Sequence, residues 1–290
     1  MGGLAAGGIA IVGPGRVGLS LARALARSGT SPVVLGPRAV DLPDSLGHTE
    51  TDWREPLATS ELVMIAVPDD HIAEVANKVA GLGVIGARAV ILHTSGLHDR
   101  GVLAPLAAAG AATGSWHPVQ TFARRDGEPD VLAGSPAVVE GDAAAMARGR
   151  ELAQTLRMFP VIEIQSAEKV RYHAAAVFAS NYVVVVATVA ARLAREAGLG
   201  DRAEGAEVFV PLMRRTIENF AADPGSALTG PVARGDAATV RRHLAALDGE
   251  ERELYVLLGR EALRIARHSG LDESAATAVE VALGGGGSGR

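Results

Sequence analysis

The sequence predicts an α/β protein in which a doubly wound sheet domain is followed by an all-helical domain. Apolar strands alternate with amphipathic helices through the first half of the chain, and the first strand breaks into a glycine-spaced turn. After residue 165 the apolar residues recur only at helical spacing. We therefore place residues 1–165 in the sheet domain, residues 166–283 in the helical domain and residues 284–290 in a flexible, glycine-rich tail.

The first strand and the turn after it predict a dinucleotide site of the Rossmann type. Residues 9–12 are mostly strand formers, residues 13–18 fit G-x-G-x-x-G, and apolar residues recur at helical spacing from Leu19 to Leu25. The first glycine permits a tight turn, the second lets the backbone approach a pyrophosphate, and the third lets the helix pack on the strand. The alternative is a chance glycine turn in a chain with 35 glycines. The predicted cofactor contacts are Gly13, Gly15, Arg16, Val17 and Gly18.

The end of the second strand favours NADP over NAD. This strand covers residues 32–35 and is followed by Gly36 and, two residues later, Arg38. An enzyme that prefers NAD usually has an acidic residue about 20 positions beyond the glycines, where it binds the ribose hydroxyls. A neutral residue followed by an arginine suits a 2′-phosphate, which a guanidinium binds through two donors. The alternative is a solvated arginine after a strand.

Further strands continue the alternation. They are predicted over residues 61–67, 88–92, 111–116, 136–140 and 161–164, with a helix over about 142–157 and Asp69 or Asp70 capping an earlier one. Ligands of open α/β sheets bind beyond the carboxyl ends of the strands, so residues at those ends are candidates for the site. For the cofactor these are Val67, Pro68, Thr94, Ser95 and Gly96.

Histidines also follow two of these strands. His117 is followed by Gln120 and Thr121, which favours a role in the substrate site. His93 is equally compatible with a functional role and with bonding to the backbone of its own loop. His93 and His98 are close in sequence, but no cluster of carboxylates and histidines accompanies them, so we expect no metal.

A second chemical locus begins at Lys169. Only Lys78 and Lys169 among the 28 basic residues are lysines, which indicates that Lys169 is needed as a compact ammonium whose pKa can shift. Residues 169, 173, 177 and 180 share one helix face. Polar residues on an apolar helix destabilise it unless partners satisfy them, and a substrate cleft would do so. The alternative is a polar helix start followed by an asparagine bonded across an interface. The candidate catalytic residues are Lys169, His117, His173, Ser180 and Asn181.

An uncharged segment covers residues 174–191. Its 18 residues approach the length of about 20 that spans a bilayer. It contains polar residues near its middle, and a helix that is apolar all round is equally typical of a buried core or a subunit interface. We expect a buried helix, no membrane partner, and a homodimer formed through the helical domain.

Composition excludes several other classes of protein. The chain has 290 residues, is 48% hydrophobic and 21% charged, and carries a net charge of −5, so we expect no nucleic-acid partner. It has no cysteine, which excludes disulfides and a thiolate nucleophile. Its first residues lack the basic and apolar regions of a signal peptide, so we expect a cytoplasmic protein.

The chain resembles bacterial proteins that join a Rossmann-like NADP-binding domain to a helical domain of unknown function, relatives of pyrroline-5-carboxylate reductase, ketopantoate reductase and deazaflavin-dependent NADP oxidoreductases. The matching stretches are residues 13–18, 93–96, 117–122, 172–175, 179–182 and 228–236. The resemblance implies NADP binding in the first domain and a dimer built through the helices. Ketopantoate reductases have a lysine and an asparagine four residues later; Lys169 matches this pattern, but His173 replaces the asparagine.

Together these features predict hydride transfer between NADPH and a small carbonyl or imine, such as a 2-keto acid of the ketopantoate type. Lys169 would protonate the product, Ser180 and Asn181 would orient the substrate, and His117 or His173 would assist. Arg234 either clamps a substrate carboxylate or is paired locally, with Asp236 capping the next helix. The alternative function is a nucleotide-binding sensor or assembly protein without turnover.

Overall fold

A computed structural model describes residues 8–43, 46–124, 127–199 and 207–284. The chain divides into two compact units, Met1–Asn181 and Tyr182–Arg290. The division falls later than the predicted boundary at residue 165, because the helix that begins at Lys169 is held in the first unit by its buried lysine. Most of the predicted tail, residues 285–290, lies outside the described residues.

The described part of the first unit contains one seven-stranded sheet in the order β2-β1-β3-β4-β5-β6-β7. The strands are β1 Gly8–Val12, β2 Val33–Leu35, β3 Ser60–Ile65, β4 Val90–His93, β5 Ala112–Pro118, β6 Ala137–Gly141 and β7 Val161–Glu163. Neighbouring strands are parallel except β5 and β6, which run antiparallel. A parallel pair needs a long crossover, usually a helix, and the described residues between β5 and β6 contain only the 3-10 turn Pro129–Val131.

Helices connect most of the other strands. They are α1 Arg16–Arg27, α2 Arg54–Thr59, α3 Ile72–Gly81, α4 Ala104–Ala108, α5 Ala143–Thr155 and α6 Lys169–Ala179, with 3-10 turns at Asp69–His71, Arg100–Leu103 and Ser166–Glu168. The carboxylate of Asp142 caps α5 by accepting bonds from the N–H groups of Ala144 and Ala145. The predicted cap by Asp69 or Asp70 is wrong, because both residues lie inside a 3-10 turn that precedes α3.

Apolar side chains cover both faces of the sheet. In β1, Ile9 and Ile11 pack into one core cluster, while Ala10 and Val12 pack into a cluster on the opposite face. The residues of β3 alternate between the same two clusters. This double burial is why the strands are apolar along their whole length, and it confirms the predicted doubly wound α/β architecture.

The described part of the second unit is helical. Its helices are α7 Asn181–Glu196 (which starts on the last residue of the first unit), α8 Val210–Ala222, α9 Ala237–Ala246, α10 Gly249–His268 and α11 Glu273–Ala282. A small core of buried residues, including Val240, Leu244, Leu263 and Val279, joins α9, α10 and α11. Asp236 caps α9 through the N–H of Thr239, which is the local role that the sequence allowed for this loop.

The uncharged segment is neither one regular helix nor buried in the chain. α6 ends at Ala179, and Ser180 leaves helical geometry at φ −125° and ψ −68° before α7 begins. Most of its side chains are exposed, including Val184 at 64%. By length and composition alone, Ser166–Glu196 passes as a membrane-spanning helix, with a mean hydropathy of 1.9 and 6% of the window buried. Burial within one chain does not cover Val184, so the expected buried helix stays a prediction that depends on a second copy of the chain.

Candidate functional site

The three glycines of the turn have different reasons for lacking a side chain. Gly13 has φ +112°, and a Cβ there would lie 2.5 Å from the carbonyl oxygen of Ala66. A Cβ on Gly18 would lie 2.0 Å from the carbonyl oxygen of Gly13, so both residues are glycines because of packing within the protein. A Cβ on Gly15 would meet nothing closer than 3.9 Å. The protein therefore leaves free space beside Gly15, which a ligand needs in order to approach the backbone of this turn.

The start of α1 is arranged to receive an anion. Gly15 occupies the cap position of α1, no side chain bonds to the first turn, and both Gly15 and Arg16 are exposed while Val17 is half-buried. An uncapped helix start presents N–H groups and the positive end of the helix dipole. The turn also lies where the strand order reverses, between β1 and β3, which is the usual ligand position in such sheets. These residues fit the pyrophosphate of a dinucleotide cofactor.

A groove of about 320 Å³ lies beside this turn. Its lining comes from the carboxyl ends of three strands and from α3: Val12, Gly13, Leu35, Pro37, Trp53, Val67, Pro68, His71, Glu74, Val75 and Lys78. The indole N–H of Trp53 donates to the carbonyl of Gly36 at 3.1 Å, and the ammonium of Lys78 sits 3.5 Å from the centre of the Trp53 ring. The sequence analysis placed Val67 and Pro68 here but missed Trp53 and Lys78. Lys78 is the other of the two lysines in the chain, so the scarcity of lysine could have identified it as a candidate site residue as well.

The strand end that favoured NADP has a defined geometry. Gly36 is buried, and a Cβ there would lie 3.2 Å from the Cβ of Thr49. The hydroxyl of Thr49 donates to the carbonyl of Arg38 at 2.5 Å and accepts from the N–H of Val40 at 2.9 Å. Thr49 therefore holds the loop in which Arg38 lies, and the side chain of Arg38 is exposed.

The turn after β4 is held by internal hydrogen bonds. His93 is fully buried; its Nδ1 accepts from the N–H of Ser95 at 3.2 Å, so its Nε2 donates to the carbonyl of Asp99 at 3.1 Å. Burial lowers the pKa of His93 to about 3, and the imidazole stays neutral. His93 thus has the structural role that the sequence had left open.

The hydroxyl of Ser95 is also used inside this turn. Its Oγ accepts from the N–H groups of Leu97 and His98, each at 3.1 Å, and its carbonyl accepts from Lys169. Ser95 is buried, so the role predicted for it as a cofactor contact does not fit its position. Thr94, next to it, is half-buried at the end of β4.

Lys169 lies beneath the site. Its side chain is 1% exposed, and Nζ donates to the carbonyl of Ser95 at 2.9 Å and to Oγ of Ser115 at 2.8 Å. Burial lowers the pKa of Lys169 to about 8, while nearby carboxylates, Glu140 foremost, oppose the shift. The sequence analysis identified the right helix face, but the ammonium points into the unit. A direct proton transfer from Lys169 to a substrate does not fit this position.

Two histidines and a tyrosine meet beside Gly96. The hydroxyl of Tyr172 lies 2.6 Å from Nδ1 of His117, and the rings of His117 and His173 make an edge contact with centroids 6.2 Å apart. A Cβ on Gly96 would lie 2.7 Å from Nδ1 of His173 and 3.0 Å from Nε2 of His117. Gly96 is thus a glycine because two imidazoles occupy the space beside it. Tyr172 lies in one of the stretches that carry the family resemblance, but nothing in the sequence assigned it a role in the site.

A second groove, of about 560 Å³, opens beside these imidazoles. It is lined by His117, Val119, Gln120, Thr121, His173, Ala176, Val177, Ala179, Ser180 and Asn181. The structure therefore brings together four of the five predicted catalytic residues and leaves out Lys169. Nδ1 of His173 is buried without a hydrogen-bond partner among the described residues. Hydroxyl, amide and imidazole groups supply the polar part of the lining, and the described lining residues include no carboxylate.

Two further features bear on the site. In the part of the chain that the structure describes, no group of three or more histidines and carboxylates is arranged to bind a metal. Arg234 lies in the second unit, where its side chain is exposed in the loop before α9.

The fold and the glycine turn define a Rossmann-like protein, and comparison with known families agrees. Residues 4–118 match the Rossmann-like domain, and residues 135–262 match a domain of unknown function, DUF2520. The chain thus joins a Rossmann-like domain to a DUF2520 domain. No curated protein matches it.

Solved structures share this fold over most of its length. A candidate NADP oxidoreductase from Bacteroides fragilis is 24% identical with a TM-score of 0.69, covering 88% of this chain and 97% of its own. A protein from Thermotoga maritima is also 24% identical with a TM-score of 0.69, covering 90% and 98%. Pyrroline carboxylate reductase from Plasmodium falciparum, solved with NADP bound, is 11% identical with a TM-score of 0.61, covering 98% and 100%.

Proposed function

We propose that the protein is an NADP-dependent oxidoreductase that transfers hydride between NADPH and a small carbonyl or imine compound. The observation that carries this proposal is the free space beside Gly15. No protein atom packs closely against this glycine, and the pyrophosphate of a dinucleotide would fill the space. The likeness to an NADP-bound reductase and to a candidate NADP oxidoreductase supports it.

Each part of the first unit has a role in this proposal. Gly15, Arg16 and the first N–H groups of α1 bind the pyrophosphate, and the groove beside Trp53 receives the adenosine. NADPH, when bound, supplies the hydride. The second groove holds the substrate, with Ser180 and Asn181 orienting it and the imidazoles of His117 and His173 facing its reacting group.

The buried position of Lys169 favours one alternative, a nucleotide-binding sensor without turnover, because the expected proton donor does not reach the groove. The two functions are separated by following NADPH absorbance with purified protein and a panel of small 2-oxo acids and cyclic imines. Oxidation that requires both protein and substrate supports the reductase. Tight NADPH binding without oxidation by any compound supports the sensor.

Arg38→Ala is expected to weaken NADPH binding about 10- to 100-fold and to leave NADH binding nearly unchanged. A charge-assisted contact to the 2′-phosphate contributes roughly 1.5–3 kcal/mol, and NADH has no such phosphate. Titration calorimetry of both cofactors measures the effect. Arg88→Ala is the matched control, because Arg88 is also exposed. It precedes β4 and therefore lies at the amino-terminal ends of the parallel strands, away from the proposed cofactor site. Equal affinity of the unmutated protein for both cofactors would contradict the prediction.

We expect the protein to be a homodimer in which a second copy covers the exposed side chains of α7. Val183, Val184, Val185 and Val186 are each more than two fifths exposed, so α7 is apolar and exposed around most of its circumference, and a second copy could bury these side chains. Light scattering at micromolar concentration should give twice the 29.7 kDa chain mass.

Val184→Glu should shift this mass toward the monomer. Val40→Glu, at a similarly exposed valine of the sheet unit, should not. A stable monomeric wild type, or a protein that stays in solution only with detergent, would show that a second copy does not cover this surface.

A further inference from the structure

The contact between Tyr172 and His117 pairs a hydroxyl with one nitrogen of a neutral imidazole. Burial raises the pKa of Tyr172 to about 12, so its hydroxyl keeps its proton near neutral pH. Burial lowers the pKa of His117 to about 4, and the ammonium of Lys169 adds to this shift, so the imidazole is neutral. A neutral imidazole has one donor and one acceptor nitrogen. With the hydroxyl of Tyr172 as the donor to Nδ1, 2.6 Å away, the ring proton of His117 is on Nε2.

The other ring nitrogen of His117, Nε2, makes no hydrogen bond with the described residues. It packs beside Gly96 together with Nδ1 of His173, at 3.0 and 2.7 Å from the position that a Cβ on Gly96 would take. The rings of His117 and His173 also line the second groove, so both imidazoles adjoin the proposed substrate position. An imidazole at the groove with a hydroxyl behind it supplies the parts of a proton relay.

We propose that Tyr172 and His117 deliver a proton through Nε2 of His117 into the groove, and that the substrate they serve is a carbonyl compound and not an imine. This inference rests on the proposed function and names the substrate class of that same groove. His117 is the catalytic residue because it faces the substrate, and Tyr172 is a positioning residue that acts through it.

The step balances in protons and electrons. Hydride from NADPH adds to the carbonyl carbon, the π electron pair moves to oxygen, and the cofactor is oxidised as the carbonyl is reduced. The developing alkoxide takes the proton from Nε2 of His117 as Nδ1 takes the proton of Tyr172. Tyr172 is left as a phenolate; Nδ1 of His117 then returns its proton to that phenolate as Nε2 takes a proton from water in the groove, which restores both residues. An alkoxide is a stronger base than a phenolate, so the net transfer is downhill.

The charges around the groove decide between a carbonyl and an imine. An imine accepts hydride most readily as the protonated iminium, and a carboxylate nearby would stabilise that cation. The described residues lining the groove include no aspartate or glutamate, and the carboxylates that act on Lys169, Glu140 foremost, are not among them. A lining of hydroxyl, amide and imidazole groups without a carboxylate offers a cation no counter-charge and favours an oxygen that gains negative charge. The groove therefore suits a ketone or an aldehyde.

The first arm of the test compares substrates. The full-length protein with NADPH is assayed against pyruvate, 2-oxobutanoate and 3-methyl-2-oxobutanoate, and against 1-pyrroline and 2-methyl-1-pyrroline. We expect oxidation of NADPH with at least one 2-oxo acid and none above background with the imines. Oxidation with imines alone overturns the inference and leaves the proposed function standing. Oxidation with neither class overturns the inference; NADPH titration then shows whether the cofactor site also fails.

The second arm tests the relay itself. Tyr172→Phe should lower kcat for the carbonyl substrate by about 10²-fold with KM nearly unchanged, and His117→Gln should lower it by about 10²–10⁴-fold. Tyr255→Phe is the matched control, because Tyr255 makes the same contact with Nδ1 of His243, at 2.8 Å, in the second unit. A Tyr172→Phe protein with wild-type kcat would overturn the relay.

A readout without turnover separates positioning from a general loss of structure. In the cofactor-free protein, ¹⁵N NMR of the imidazoles should show His117 with its proton on Nε2 and Nδ1 as an acceptor. Tyr172→Phe removes the donor and should shift the Nδ1 resonance of His117, while the backbone spectrum stays folded. A wild-type protein in which His117 carries its proton on Nδ1 would also overturn the proposal.

Discussion

Gly15→Val is expected to abolish measurable NADPH binding, a loss above about 10²-fold, while the protein stays folded. The reason is that a Cβ at this position meets no protein atom closer than 3.9 Å, and the residue is exposed, so the new side chain occupies only the space proposed for the pyrophosphate. The backbone at Gly15, with φ −85°, is accessible to any residue. Calorimetric titration with NADPH and thermal unfolding measure the two properties.

Gly18→Ala is the matched control for this experiment, because its expected effect is on the fold. Its Cβ would lie 2.0 Å from the carbonyl oxygen of Gly13, and backbone must move to relieve that contact. We expect a lower midpoint of thermal unfolding for Gly18→Ala and a shift of only about 2 °C for Gly15→Val. Gly15→Ala should bind NADPH with intermediate affinity. Wild-type NADPH affinity in Gly15→Val would show that the cofactor does not approach the turn.

Lys169→Met is expected to lower thermal stability and turnover together. The substitution leaves the carbonyl of Ser95 and Oγ of Ser115 without their buried donor, and each unsatisfied group costs about 1–3 kcal/mol. Loss of the ammonium also removes one cause of the low pKa of His117, so that pKa should rise from about 4 toward its usual value of 6.5. Thermal unfolding and an NMR titration of the imidazoles measure the two effects.

Two further variants sharpen the interpretation of Lys169. Lys169→Arg should be nearly as damaging, because the site is 1% exposed and a guanidinium is larger than an ammonium. Lys78→Met changes the other lysine, which is exposed, and should leave the unfolding midpoint nearly unchanged. If Lys169→Met kept full stability but lost turnover, the direct proton donor predicted from the sequence would be the better explanation.

The sequence predicts the strands of the first unit well because their signals are local. Apolar runs bounded by turn residues place β3 and β5 within one or two residues of their observed bounds. The reversed direction of β6 was beyond such signals, because strand direction depends on how the chain returns through residues 119–136 and not on the strand's own residues. The break at Ser180 is also invisible to periodicity, since the segment is uniformly apolar on both sides of it.

The candidate site also has features that the sequence predicts and features that depend on tertiary contacts. The helix face that carries Lys169 and His173 follows from spacing, but spacing does not say whether each side chain points into a groove or beneath it. Lys169 is buried because Ser95 and Ser115 provide acceptors there, and those residues belong to the turn after β4 and to β5. Tyr172 had no polar pattern to mark it; its importance comes only from a contact with His117, 55 positions away in the chain.

Thr49 has a consequence for how a protein of this kind can evolve. It crowds position 36, where an acidic residue would select NAD, and it also ties down the backbone of Arg38. In a lineage changing its cofactor, a carboxylate acquired first would push against Thr49 while Arg38 still attracted a phosphate. A smaller residue at position 49 would relieve this contact, so we expect a change at position 49 to ease the acquisition of an acidic residue at position 36. The proposed preference for NADP would then depend on two positions that contact each other, 36 after β2 and 49 in the loop that packs on it.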